Sequence, residues 1–241
     1  MFSSEILESR IRFICLANSR KKSGRCLAGK ADLQGFYTQW IRPISGRESE
    51  ELRAPEFLIH TGGEAQVLDL LEVKLLNHKP RLHQQENYLM DASVPLLKVG
   101  SVTTAEVREL VDSPLSLWGA GHSSKNGGND FVPKEEIVNY SESLYLIDVR
   151  QLKLHISEEW SINWRRNQKV FRAEFRVGGS EYKLKITDPT FEAQFASKDV
   201  GTYIIEEALL TISLGEEFEN KHWKLVAGVI PISFGERWIS N

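Results

Sequence analysis

Hydrophobic positions along this chain recur mostly at every second residue, in short runs broken by polar turns, a period that predicts strands more often than helices. Ile11, Phe13, Cys15 and Ala17 alternate with Arg12, Ile14 and Leu16 and begin a strand that enters a core. The run stops at Asn18, Ser19, Arg20, Lys21, Lys22, Ser23, Gly24 and Arg25, which hold no acidic residue. Asn, Ser and Gly favour turns, so this stretch predicts a positively charged turn at a strand end. A short return strand can start at Cys26. Phe36, Thr38 and Trp40 share one face of the next strand, which Pro43 ends or places at a sheet edge. Residues 67–77 are read as a long strand. Asp69 and Glu72 break its alternation and leave a helix open there, but the surrounding chain is poor in helix caps. A short helix is expected over 104–111, with Thr103 or Thr104 as cap and Glu106 in the first turn. Residues 122–130, rich in Ser, Asn and Gly, have the composition of a mobile loop, and they lack the GxxxxGK spacing of a phosphate loop.

The second half repeats the strand signal more strongly. Residues 143–149 form a continuous apolar run. Residues 170–177 and 181–186 alternate on either side of Gly178 and Gly179 and predict a tight hairpin. Phe171, Ala173, Phe175 and Val177 share one face with Tyr182, Leu184 and Ile186. Arg172, Arg176, Lys183 and Lys185 fall on the other, partly offset by Glu174 and Glu181. Further strands are expected over 210–214 and over 223–230, the last stopped by Pro231. The expected class is mainly β: two tandem OB-fold-like small β-barrels with short helices, residues 1–130 and 131–241.

Composition narrows the function. With 30 Lys and Arg against 33 Asp and Glu in 241 residues, the net charge is −3. A nucleic-acid role must therefore rest on local patches, and indiscriminate binding to duplex DNA is disfavoured. The two cysteines, Cys15 and Cys26, lie beside apolar positions and are expected as free packing thiols; no CxxC or HxxxH spacing suggests a metal, and no cofactor motif is present. The first residues lack a basic stretch followed by an apolar one, and no run approaches the length of a membrane span, so the expectation is a soluble, cytoplasmic chain with no membrane partner.

Several pieces, in order, resemble the dual OB-containing domain family of prokaryotes. They are residues 14–21 with Gly24, Arg25 and Cys26, then Trp40-Ile41-Arg42-Pro43 and His83-Gln84-Gln85-Glu86-Asn87. In the second half they are residues 143–146, 182–189, 210–216 and 224–227. The resemblance spans about residues 11 to 231. It implies two OB barrels in one chain and a role in binding nucleic acid, often within bacterial conflict or phage-defence loci. It brings no catalytic residues with it.

OB barrels that hold single strands combine a basic groove with rings on which bases stack. The candidate contacts in the first half are Asn18, Arg20, Lys21, Lys22, Arg25, Trp40 and Arg42. In the second half they are Trp164, Arg165, Arg166, Arg172, Arg176, Lys183 and Lys185. His83, Glu86 and Asn87 form a possible polar site, either functional or holding a loop by local hydrogen bonds. The reading that results is a non-catalytic module binding single-stranded DNA or RNA, or sensing a nucleotide, in a prokaryotic defence system with a partner effector protein. Two alternatives stay open. One is a protein-interaction adaptor using acidic positions such as Glu206, Glu207, Glu216 and Glu217. The other is a nuclease or nucleotide hydrolase around His83–Asp91, whose spacing matches no catalytic motif.

Overall fold

The computed structural model describes residues 10–33, 35–161, 165–233 and 237–239. The chain forms two compact units, Met1–Val111 with Val138–Leu144 and Asp112–Ile137 with Tyr145–Asn241. The expected boundary after residue 130 lies inside the second unit. The chain leaves the first unit earlier and returns to it for residues 138–144.

In the first unit, β1 (Arg10–Lys21), β2 (Gly24–Leu33), β3 (Phe36–Ile44), β4 (Asp69–His78) and β5 (Asn87–Met90) close into a ring ordered β1-β2-β3-β5-β4 and back to β1. β3 runs parallel to β5, and β4 closes antiparallel on β1. β6 (Leu97–Ser101) adds to the edge of β4. Phe13, Cys15, Leu27, Ala31, Ile41, Leu71, Val73, Leu75 and Tyr88 fill the interior, as the alternation of β1 and β4 requires. β1 continues through the basic residues, because a register shift between Cys15 and Ala17 carries the strand on to pair Arg20 with Arg25. Only Lys22 and Ser23 remain as the turn. The residues that broke alternation in β4 are both paired. Asp69 accepts from the Gln66 amide and the Lys98 ammonium, and Glu72 binds Arg12 at 2.8 Å. α1 (Thr104–Arg108) starts with a capping box in which Thr103 and Glu106 exchange bonds.

In the second unit, β8 (Leu144–Ser161), β9 (Arg166–Val177), β10 (Ser180–Ile186), β11 (Gly201–Phe218) and β12 (Lys221–Ser233) close in the same order, β8-β9-β10-β12-β11 and back to β8. β10 runs parallel to β12. β7 (Phe131–Pro133) pairs with β12, and β13 (Arg237–Ile239) pairs with β11. α2 (Pro189–Gln194) connects the third and fourth barrel strands. The predicted hairpin forms as β9–β10, with Phe171, Ala173, Phe175, Tyr182, Leu184 and Ile186 buried. β12 does not stop at Pro231, which faces Ala208 of β11. β11 begins at Gly201, nine residues ahead of the expected start at Leu210.

Candidate functional site

The structure commits most of the first unit's candidate residues to the fold. Asn18 is buried and its side-chain amide donates to the Ala65 carbonyl at 2.7 Å. Arg25 makes a two-pronged ion pair with Glu64, both bonds 2.9 Å, above the Phe57 ring. Lys21 lies 3.9 Å from Glu50. Arg20 and Lys22 are exposed at the turn. Trp40 is half-buried with the Lys30 ammonium 5.4 Å from its ring. Ile14, Lys30 and Trp40 lie side by side across β1, β2 and β3. Ile14 and Lys30 are buried, and Lys30 donates to the Leu110 carbonyl at 2.6 Å. This face of the first barrel is covered at Ile14 and Lys30, while Arg12, on the same side of β1, is exposed.

Arg42 leaves the basic set altogether. It is 2 % exposed and sits 2.7 Å from Glu86, with further bonds to Asn87 and to the Ser143 hydroxyl. Ser143 donates in turn to Glu86, and Asn87 donates to Gln84. The possible polar site at His83, Glu86 and Asn87 is therefore buried, all three under 9 % exposed. Glu86 and Asn87 clamp β3, the turn before β5 and the returning segment 138–144. A buried ion pair needs its remaining hydrogen bonds met, and this one recruits them from three pieces of chain.

In the second unit Trp164 lies outside the described residues. Arg165 and Arg166 are exposed at the end of the β8–β9 hairpin, Arg176 is exposed near Glu181, and Lys185 is exposed on β10. Trp160 is 64 % exposed, but it alternates with Glu159 and so points away from the face that Glu159 lines. Arg172 and Lys183 are brought together on an open groove of about 550 Å³. It lies on the outward side of β8, β9 and β10, where register sets the rows Lys153–Glu174–Lys183 and His155–Arg172–Lys185. The start of β11 contributes Thr202, and the loop before β7 contributes Lys125, Asn126 and Gly127.

That loop, read from composition as mobile, is folded on itself and onto β10. Asp130 accepts from the Ser124 amide and hydroxyl, and Gly127 donates to Ser124. Gly128 and Lys183 exchange backbone bonds of 3.1 and 2.8 Å, and Asn129 reaches the Glu181 carbonyl. Its polar residues satisfy one another, which is how a stretch with no apolar anchor acquires one shape.

Charges in the groove are arranged in pairs with three exceptions among the described residues, Lys125, Lys183 and Glu158. Glu159 holds Arg172 through both oxygens and accepts from Asn126 at 3.2 Å. Glu174 binds Lys153 and, at 2.9 Å, His155 Nε2. Burial opposes its charge, yet Lys153 and His155 outweigh burial and hold the carboxyl below its ordinary value. His155 Nδ1 faces the Thr202 hydroxyl at 3.1 Å. Burial first, then the nearby Lys183, lowers the His155 pKa, so the ring is neutral at pH 7. Lys125 and Lys183 have no ion-pair partner among the described residues. No Phe, Tyr or Trp is among the described residues lining the groove. Nor do His, Cys, Asp and Glu side chains group as a metal site anywhere among the described residues. Likewise, no helix among them is long and apolar enough to cross a membrane.

Two five-stranded rings of identical order, with a parallel contact between the third and fifth strands, are the mark of paired OB barrels. A family model described as dual OB-containing domain matches residues 11–229. The chain belongs to the dual OB-containing domain family. A search of curated proteins found no match, and a search of solved structures found none. The pieces that carried the family resemblance have structural work in this dual OB chain. Arg42, Glu86, Asn87 and Ser143 are the buried clamp just described. Asp188 caps α2 by accepting from the Thr190 and Phe191 amides, and its other oxygen accepts from Val229 of β12. Sequence reasoning missed Lys125, Asn126, His155, Glu159 and Thr202 as groove residues. The outward alternation of His155, Ser157 and Glu159 on β8 was a usable signal; the register that sets them opposite Arg172 and Lys183 was not.

Proposed function

We propose that this dual OB chain is a non-catalytic nucleic-acid-binding module whose ligand surface is the outward groove of the second barrel. It takes single-stranded DNA or RNA, or a nucleotide, and acts with a partner effector protein in a prokaryotic defence or conflict system, the setting inferred for the family. One observation carries the placement: Lys125 and Lys183, two cations with no ion-pair partner among the described residues, line a groove on the barrel face where OB folds take oligonucleotides. The matching face of the first barrel is covered at Ile14 and Lys30. Phosphate oxygens supply what the two ammonium groups lack, whereas duplex DNA would meet a chain of net charge −3.

A titration of short single-stranded DNA, single-stranded RNA and duplex at about 50 and 200 mM salt tests the reading. Single strands are expected to bind, with affinity falling on added salt by a log–log slope of about −2 if three phosphates are held. No binding of any nucleic acid at the lower salt would overturn it.

A further inference from the structure

The Thr202–His155–Glu174 chain in the groove wall suggests which phosphate the site accepts. Glu174 can only accept hydrogen bonds when ionised, so the His155 proton resides on Nε2, which faces it. Nδ1 is then a bare lone pair that accepts from the Thr202 hydroxyl. The groups on this side of the packed strands are Lys153 on β8, Arg172 and Glu174 on β9, Lys183 and Lys185 on β10 and Thr202 on β11. Apart from Glu174 they are cationic or neutral, which keeps the ring neutral while the groove is empty of anions.

We infer that the groove holds a phosphomonoester, the phosphorylated end of a strand or of a nucleotide, and that its binding transfers one proton from solvent to His155. The inference rests on the groove assigned above. The oxygens of a phosphomonoester dianion, the main form above its second pKa of about 6, only accept hydrogen bonds, like carboxylates. A phosphate drawn to Lys183 and Lys125 therefore turns the Thr202 hydroxyl toward itself and leaves Nδ1 without a donor. A lone pair facing an anion is stabilised by taking a proton, which makes Nδ1 a second donor to the phosphate. The two ring nitrogens then serve two anions, Glu174 and the ligand.

Two features favour a monoester over the interior of a strand. Toward the hairpin end, the β8 wall of the groove finishes in Glu158 and Glu159. Glu159 is neutralised by Arg172; Glu158 alternates with it and is exposed at the groove's edge, where its carboxylate, with no ion pair among the described residues, stands beside the path of a continuing backbone. The lining also offers ammonium, guanidinium, hydroxyl and amide groups and no Phe, Tyr or Trp among the described residues, so it suits phosphate and sugar better than a stacked base.

Titration calorimetry in two buffers of different ionisation enthalpy at pH 7 measures both the affinity and the protons taken up. The ligands are one oligonucleotide with a 5′-phosphate, with a 3′-phosphate and with hydroxyl ends, together with a nucleoside monophosphate. End-phosphorylated strands or the monophosphate should bind about tenfold or more tightly than the hydroxyl-ended strand, and which end is preferred identifies the source. Uptake should approach one proton, and affinity should rise by up to about tenfold per unit as pH falls from 8 toward 7. His155→Gln should keep the phosphate preference in reduced form while abolishing proton uptake. Lys183→Met should lose the preference itself, and Thr202→Val, which leaves the ring in place, should weaken it. Equal binding of phosphorylated and hydroxyl-ended strands, or a preference with no proton uptake, overturns the inference and leaves the binding module standing. Absence of any binding overturns both.

Discussion

Arg42 reads on sequence as a basic contact two residues from Trp40, yet its guanidinium is enclosed with Glu86, Asn87 and Ser143. Deleting one member of a buried pair strands the other's charge, which costs about 3–5 kcal/mol, while replacing both by apolar residues of similar volume restores much of that. Urea unfolding of Arg42→Met and Glu86→Met should each show such a loss, and the double variant should recover part of it; additive losses would contradict the clamp. Lys224 gives a second test at this scale. It is 1 % exposed, donates to the Gly119 carbonyl at 2.9 Å and lies over the Tyr182 ring. Burial lowers its pKa to about 8, against a partial upward pull from Asp130 and Glu136. Between that value and the unfolded value near 10.4, the unfolded chain holds a proton that the folded chain has released, so this residue adds stability as pH rises through the window. Unfolding midpoints of the native chain should therefore climb from pH 8 to 10 relative to those of Lys224→Met. Parallel curves would show that the buried lysine is not discharged.

At the scale of elements, the β9–β10 hairpin was the most legible part of the chain because its information is local. Two alternating runs and a Gly-Gly turn state the pairing, and register sets Val177 opposite Ser180 with both glycines at positive φ. Gly178 has a second reason to be glycine, since a Cβ there would sit 1.7 Å from the Leu115 carbonyl oxygen. Gly178→Ala should lower the thermal midpoint by several degrees, and more than Gly179→Ala, whose Cβ would meet nothing within 4 Å. Equal effects would mean that turn conformation alone is being read. The strand, helix-cap and barrel content was similarly legible, including Thr103 and Glu106. The groove was not. His155, Arg172, Lys183 and Thr202 come from four strands, and their meeting depends on non-local register that no local spacing encodes. The internal bonding of the 122–130 loop was not legible for a related reason: composition reports polarity, and polar residues can also bond to one another, as Ser124, Asp130 and Gly127 do.

Across the whole molecule, one barrel plan occurs twice and the two copies differ in what their outward faces carry. In the first, Ile14 is buried and Lys30 is spent on a backbone carbonyl. In the second, the equivalent three strands carry a groove with two cations lacking ion-pair partners. In the basic stretch that dominates the sequence, Arg20 to Arg25, two of the four cations, Lys21 and Arg25, face Glu50 and Glu64. Charge density along a sequence is thus a poor guide here, because acids brought from elsewhere by the fold cancel part of it. The central claim is that ligand binds the second barrel's groove and not this turn. The most direct measurement compares Lys125→Glu with Lys183→Glu, and both with Arg20→Glu and Lys22→Glu, in the affinity of one labelled single strand at low salt. Reversing either groove lysine should weaken binding about tenfold or more and flatten the salt dependence, with the turn variants within about twofold of the native chain. The opposite order, with turn variants impaired and groove variants unaffected, would contradict the account.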